Sequence, residues 1–379
     1  MRITEVRAFP VSFPIPPANR VALGIGTAVK RDAVVVKITS DEGLVGWGEA
    51  HHGRAHTTVA KLIETTLRQL ITGMEIHDVT GVWEKMYRYQ LASHGMGAGA
   101  CLAISGIDMA LWDLRGKALN VPLYKLLGGA RRAIRAYAGG VSLGYQEPSQ
   151  LIDEARKSVE QGYKAIKLRV GDSVARDIAR MEAVREAFGG KLEILTDANI
   201  GYQLEDVRRV MPAMDELGIA WLEEPFPAHD YRSYREAKGF GRTPLAAGEN
   251  HYTRFEFDRV IEDGAITILQ PDLSKSGGLT ECLRIAAMAS AWKLPIHPHS
   301  SMTGLNHAAS IHFLAAIDNG GYFEGDVSKS NRYRDELVEN PGQIDKDGNV
   351  WPLEKPGLGL EVNEEFLAKH PPIEGPGYV

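Results

Sequence analysis

Leu192-Glu193-Ile194-Leu195-Thr196-Asp197-Ala198-Asn199, Ala220-Trp221-Leu222-Glu223-Glu224-Pro225 and Leu245-Ala246-Ala247-Gly248-Glu249-Asn250 are three successive short apolar runs, each closed by acidic and amide residues. Runs this short read as buried strands, and the amphipathic stretches between them are long enough for helices. Strand and helix in alternation imply parallel strands joined by crossovers. The same grammar extends outward on both sides, with strand-like runs at 134–138 and 165–170 before these three and at 266–270, 294–297 and 322–324 after them. Eight such strands suit a closed (β/α) barrel of the TIM type, which takes about 250 residues.

Upstream the pattern differs. Ala33-Val34-Val35-Val36-Lys37-Ile38-Thr39, the turn Asp41-Glu42-Gly43 and Leu44-Val45-Gly46-Trp47-Gly48-Glu49 predict a hairpin. Helical patterns follow over 57–72, 79–90 and 98–119, the last stopped by Asn120 and Pro122. Strands first and helices afterwards describe a small α+β domain. The predicted organisation is an α+β domain over 1–125, a (β/α) barrel over 126–330 and a C-terminal segment over 331–379. That segment is rich in Gly, Pro and Asp and is expected to pack back on the first domain.

With 379 residues, 44% hydrophobic and 24% charged, and a net charge of −6, the chain offers no basic footprint for nucleic acid. A small soluble ligand is the expected partner. Cys101 and Cys282 stand alone, without a CxxC or Cys/His pair, and read as buried thiols of a reducing compartment. No signal-peptide pattern or membrane-length apolar run is present, so a cytoplasmic protein without membrane contacts is expected. Gly24-Ile25-Gly26 and Gly95-Met96-Gly97 do not follow a strand, which argues against a nucleotide site.

In an α/β barrel the functional groups sit at the C-terminal ends of the strands. Asp197, Glu223 and Glu249 close three adjacent strands, and their repulsion is unfavourable unless a cation lies between them. Any one of them could be a solvated loop residue or a helix cap; three in succession favour a metal. Oxygen ligands favour Mg²⁺ over zinc or copper. The sixth strand ends in Gln270-Pro271-Asp272 and the seventh in His297-Pro298-His299. His299 oriented by Asp272 would make a general base with a fixed tautomer, although a lone barrel histidine is more often structural. On the second strand Lys167 and Arg169 are two residues apart and share one face, aimed into the mouth. Either can bind a carboxylate, and a lysine near a metal can become a base.

These residues resemble the enolase superfamily, in particular its mandelate racemase-like group, and the resemblance covers nearly the whole chain. The motifs are Asp197-x-Asn199, Glu223-Glu224-Pro225, Gly248-Glu249-Asn250, Pro271-Asp272 followed by Ser274-Lys275-Ser276-Gly277-Gly278, and His299. The three acids are spaced by 26 residues each, with Asp272 another 23 on and His299 27 after that. Asp108-Met109-Ala110-Leu111-Trp112-Asp113-Leu114-Arg115-Gly116-Lys117 looks like the helix leading from that family's capping domain into its barrel. The resemblance implies that Asp197, Glu223 and Glu249 bind Mg²⁺, which holds a substrate carboxylate and stabilises the enediolate formed when the α-proton leaves. It also implies that Glu324 hydrogen-bonds to that carboxylate and that the segments 13–27 and 49–56 supply specificity loops. A homo-oligomer is expected.

One departure bears on the reaction. Many relatives carry Lys-x-Lys on the second strand, where this chain has Lys167-Leu168-Arg169. Arginine is almost never deprotonated, so Arg169 suits an anion clamp better than a base. A two-base racemisation then lacks its second acceptor unless Lys167 substitutes. Loss of a β-hydroxyl after α-proton removal becomes the simpler reaction, which implies an acid-sugar dehydratase. The alternatives are a racemase, epimerase or cycloisomerase using the same intermediate, and a non-catalytic barrel.

Overall fold

The computed structural model describes residues 1–93, 95–300 and 302–379. Near the N-terminus, Ile3–Pro14, Lys30–Ser40 and Val45–Ala50 form an antiparallel sheet with Lys30–Ser40 in the centre. The hairpin read from the sequence is there, and Ile3–Pro14 adds an edge strand to it. Helix Ala98–Ala118 lies across this sheet, apolar almost all round because the barrel covers its other side. Glycines set the spacing. A Cβ on Gly46 or Gly48 would meet helix backbone at 2.1 and 2.4 Å, and one on Gly106 would meet Ala50 at 2.7 Å. The hairpin is thereby held close enough for Glu49, Ala50 and His51 to reach the barrel.

The barrel strands run in parallel as Ile134–Gly139, Ala165–Arg169, Glu193–Asp197, Leu222–Glu223, Leu245–Ala247, Ile266–Leu269 and Phe323–Asp326. The expected seventh strand is reduced to bridges at Ile296, which pairs with Leu269 on one side and Gly320 on the other and closes the ring. Below the mouth, Tyr137, Trp221 and Tyr322 meet edge to face with ring centroids 5.6 to 6.2 Å apart. With Ala165, Leu195, Ala246 and Ile268 they plug the barrel interior.

The C-terminal segment ties both parts together. Asn349–Val350 pairs with the first barrel strand, while Lys37 reaches Glu364 at 2.8 Å and the Tyr333 hydroxyl donates to the Val11 carbonyl at 2.8 Å. Helix 98–118 and the hairpin are stitched to the barrel loops. Asp108 accepts from the Thr280 amide at 2.8 Å, Ser105 from the Gly277 amide at 2.9 Å and Glu49 from the Thr303 amide at 2.9 Å, while the His51 amide donates to the Ser274 carbonyl at 3.0 Å. Among the described residues no helix is long and apolar enough to cross a membrane.

Candidate active site

A cavity of about 470 Å³ opens between the strand ends and the first domain. The second barrel strand brings Arg169 to its wall, the fifth brings Glu249, and the chain beyond Ile296 brings His299. Lys275 lines it from the loop after the sixth strand, and His51, His52 and Arg54 line it from the hairpin side. Asp197, Glu223, Asp272, Glu324 and Lys167 are buried directly behind these groups.

Parallel strands that end in register bring the acids together. Thr196 and Asp197 sit beside Leu222 and Glu223, and Leu222 and Glu223 beside Leu245 and Ala246. The chain turns sharply after them. Asn199, Ile200, Glu224 and Thr253 have positive φ without being glycine, a strain of about 1–3 kcal/mol each that clusters where strand ends must aim side chains.

Charge is unevenly distributed here. Six carboxylates, Asp197, Glu223, Glu224, Glu249, Asp272 and Glu324, face three fixed cations, Lys167, Arg169 and Lys275. Lys167 Nζ is 2.8 Å from Glu223, 3.0 Å from Glu324 and 3.4 Å from Asp197. Arg169 pairs with Asp197 and donates to Asn199 Oδ1 at 3.0 Å. Glu249 meets Lys275 at 3.1 Å and His299 Nε2 at 2.8 Å. Burial raises the Glu223 carboxyl to about 7, with Asp197, Glu324 and Glu249 adding to the rise and Lys167 opposing it. Burial and the neighbouring Glu249 and Asp197 push Glu224 up as well. Glu324 goes the other way. Burial would raise it, but Lys167, His299 and Arg169 hold it at about 2.

These groups fit a divalent cation by donor type and by charge, because adjacent hard oxygens carry a negative excess that the lysines and arginine leave uncompensated. With those cations seated on the acids, no three His, Cys, Asp or Glu side chains among the described residues converge on a single metal-sized centre.

The histidines have fixed roles in the hydrogen-bond pattern. His299 Nδ1 lies 2.6 Å from Asp272 Oδ2. Asp272 is itself held by the Ser274 amide and hydroxyl at 2.7 Å each and by Asn306 Nδ2 at 3.1 Å. Nδ1–H therefore donates to the carboxylate, and Nε2 faces Glu249 on the cavity side. Burial alone would lower the imidazole, yet Glu249 and Asp272 hold it well above its usual range. In the hairpin loop, His51 Nδ1 accepts from the Gly53 amide at 3.1 Å and His52 Nδ1 from the Arg54 amide at 2.9 Å. Burial keeps both rings neutral, with His52 at about 3, so each carries its proton on Nε2 and serves as a donor.

The chain matches the model described as "Mandelate racemase / muconate lactonizing enzyme, N-terminal domain" over residues 3–128 and "Enolase C-terminal domain-like" over 150–366. It belongs to the mandelate racemase/muconate lactonizing enzyme family of the enolase superfamily. The D-galactonate dehydratase of Pectobacterium atrosepticum is 35% identical over 347 residues, covering 88% of this chain and 89% of the relative. The arabinonate dehydratase of Saccharolobus solfataricus is 33% identical over 374 residues, covering 97% and 99%. A crystal structure of an enolase-superfamily member from Polaromonas sp. JS666 superimposes with a TM-score of 0.97 at 52% identity over all of both chains. A racemase from Streptomyces coelicolor with bound magnesium gives 0.88 at 27% identity, covering 97% and 99%. The α/β barrel with its capping domain is thus the family's fold.

Sequence reasoning gave no role to Lys275, although it stands in the quoted Ser-Lys-Ser-Gly-Gly motif and reaches Glu249. Tyr378 also lines the cavity, and nothing near it in sequence announces this. Lys167 sits among three carboxylates rather than on the cavity wall.

Proposed function

We propose that this chain is a Mg²⁺-dependent sugar-acid dehydratase that converts an aldonate or aldarate into a 2-keto-3-deoxy acid. The observation that carries this reading is the His299–Asp272 pair on the cavity, set against an Arg169 and a Lys167 that are both tied to carboxylates. His299 presents Nε2 on the cavity side beside Glu249, with Asp272 behind the ring. Arg169 stays protonated among acids, and Lys167 is boxed in by Glu223, Glu324 and Asp197. One acceptor suffices for an elimination, whereas inversion at a carbon needs one on each face.

In this scheme Asp197, Glu223 and Glu249 hold the cation, which when bound offsets the charge that the substrate carboxylate gains as its α-proton leaves. Lys275 and Arg169 orient the carboxylate end, and the ionised Glu324 holds Lys167 behind them. With Glu249 engaged as a cation ligand and no longer pairing with Nε2, the neutral His299 would take the α-proton there. The electron pair left on the α-carbon forms a double bond to the β-carbon as the C–O bond of the β-hydroxyl breaks. The imidazolium returns its proton to that oxygen, which departs as water. The enol so formed tautomerises to the keto acid, and the balance is one acid in, one keto acid and one water out. His51 and His52 are placed to donate to hydroxyls further along the ligand. The relatives named as dehydratases of a six-carbon and a five-carbon acid support this substrate class.

The test is a screen of C4 to C6 aldonic and aldaric acids with Mg²⁺, the product being read by NMR in D₂O. A 2-keto-3-deoxy acid is expected. An epimer or lactone with no keto acid would establish the racemase, epimerase or cycloisomerase alternative. Glu223→Gln is expected to abolish turnover, and so is exhaustive chelation, with recovery on adding Mg²⁺; full activity in either condition would remove the metal from the scheme.

A further inference from the structure

The last ten residues cross the first domain and enter the cavity wall. The Ser12 amide donates to the His370 carbonyl at 3.3 Å, and Lys30 Nζ donates to the Ile373 carbonyl. Residues 371–376, Pro-Pro-Ile-Glu-Gly-Pro, are exposed throughout. The chain then pairs with the loop that precedes the central strand of the first domain. The Val29 amide donates to Gly377 at 2.9 Å, the Thr27 amide to Val379 at 2.7 Å and the Val379 amide back to Thr27 at 3.0 Å, with an antiparallel bridge between Ala28 and Tyr378. Half-buried between buried Gly377 and exposed Val379, Tyr378 turns inward. Its ring packs with Val21 and Ile25 on a small apolar cluster of Ile15, Leu23, Ala28 and Val141, separate from the main core. Leu23, Ile25 and Tyr378 line the cavity together. Across the mouth, the Arg54 guanidinium lies 5.1 Å from the Tyr378 ring centroid, on a residue pinned at φ 58°.

The wall is therefore built from two sides. Leu23 and Ile25 belong to a two-residue hairpin, Ala22–Leu23 with Gly26–Thr27, too short to stand alone. The 377–379 stretch adds a third strand-like edge to it and holds it against the mouth. Gly26 allows the approach, since a Cβ there would meet the Val379 carbonyl at 3.0 Å.

We propose that Tyr378 is a specificity-determining residue: carried on the 370–379 strap and backed by Arg54, it forms the wall that limits the length of the bound acid. The reading rests on the sugar-acid assignment above. Carboxylate chemistry occupies the Glu249, Lys275 and His299 side, and the remaining carbons extend toward His51, His52 and this wall. The strap also completes the enclosure that separates the reacting carbon from bulk water.

The experiment compares the intact chain with Tyr378→Ala, Tyr378→Phe and a variant lacking residues 376–379, all metal-loaded and checked for an unchanged melting temperature. For the best acid found in the screen, Tyr378→Ala should raise KM about tenfold with kcat within about threefold, the signature of lost uniform binding. The ratio of kcat/KM for a homologue one carbon longer over the best acid should rise at least about tenfold, and Tyr378→Phe should retain the wild-type ratio. An unchanged ratio in a well-folded Tyr378→Ala would overturn the assignment. A readout independent of turnover is diethylpyrocarbonate modification of His51 and His52, followed by mass spectrometry. Deleting 376–379 should speed it several-fold. If the wild type converts no sugar acid yet the deletion opens these histidines, the substrate reading fails and the wall stands; equal modification rates would show that the strap covers nothing.

Discussion

At the scale of single residues, the division of labour turns on which nitrogen carries which proton. Asp272 is held by four donors, Ser274 twice, Asn306 and the imidazole itself, so its carboxylate cannot rotate away from His299. Burial would raise Asp272, and these partners keep it low instead. Replacing His299 by Asn removes the acceptor with little change in shape. Exchange of the substrate α-proton with deuterated solvent should fall about 10²- to 10⁴-fold, the usual contribution of a positioned base, while Mg²⁺ binding by calorimetry stays. Lys167→Met tests the competing base. Lys167 bridges Glu223, Glu324 and Asp197, and its own pKa rises because those carboxylates outweigh burial. Its loss should shift the metal affinity and weaken substrate binding without removing the acceptor. Exchange that survives His299→Asn and vanishes in Lys167→Met would reverse the assignment of the attacking face.

Among secondary elements, how legible each was in the sequence follows from its local chemistry. The hairpin at 33–49, the three helices and most barrel strands follow from β-branched runs and helical periodicity. Edge strand Ile3–Pro14 escapes that reading because Thr4, Glu5 and Arg7 face solvent and Pro10 and Pro14 interrupt it; an edge position tolerates proline. The seventh strand shrinks to Ile296 because Pro295 and Pro298 flank it and neither offers an amide to the ladder. Helices expected to be continuous over 57–72 and 79–90 contain wider turns at Ile63–Leu67 and Tyr87–Leu91. At the site, Asp197 and Glu223 close strands and Glu249 and His299 follow strand ends within three residues, which brings them to the mouth, whereas Tyr378 is placed by a bridge to Ala28 that no local pattern encodes. The helix-on-hairpin contact supplies a prediction at this scale. Gly106 has Ala50 and Val36 at 2.7 Å from a would-be Cβ. Gly106→Val should destabilise by about 1–3 kcal/mol through overpacking, and should raise KM by displacing His51. A urea midpoint equal to the wild type would mean that the sheet can retreat without loss.

For the whole molecule, the seam between capping domain and barrel contains two buried acids that no cation neutralises directly. Glu49 accepts from the Thr303 amide and hydroxyl with one oxygen, and its other oxygen has no hydrogen-bond partner among the described residues; Asp272 and His299 are the charged groups it faces. Burial, opposed by the Thr303 bonds, raises it from 4.5 to about 8. Asp108, bonded to Thr280 and facing Arg284 and Glu281, is raised from 3.8 to about 7 for the same reason. The sign follows from linkage. In the unfolded chain both acids ionise near pH 4, so between that pH and about 8 the folded state binds more protons, and stability falls as pH rises. Buried histidines act oppositely. His312, whose Nδ1 accepts from the Tyr124 amide at 3.2 Å and whose Nε2 lies 3.2 Å from the Leu358 carbonyl, is lowered by burial from 6.5 to about 4, and its neutral form is lost to the unfolded state as pH falls below 6.5. Between pH 6.5 and 8 the acids act without that opposition. Chemical denaturation over this interval should therefore show stability declining with pH. Glu49→Gln keeps the acceptor for Thr303 and removes the charge, so its stability advantage over the wild type should be nil near pH 4 and grow toward pH 8, approaching on the order of 5 kcal/mol. Parallel curves for the two proteins across that range would mean that Glu49 is already ionised in the fold and that the seam holds its charge by another route.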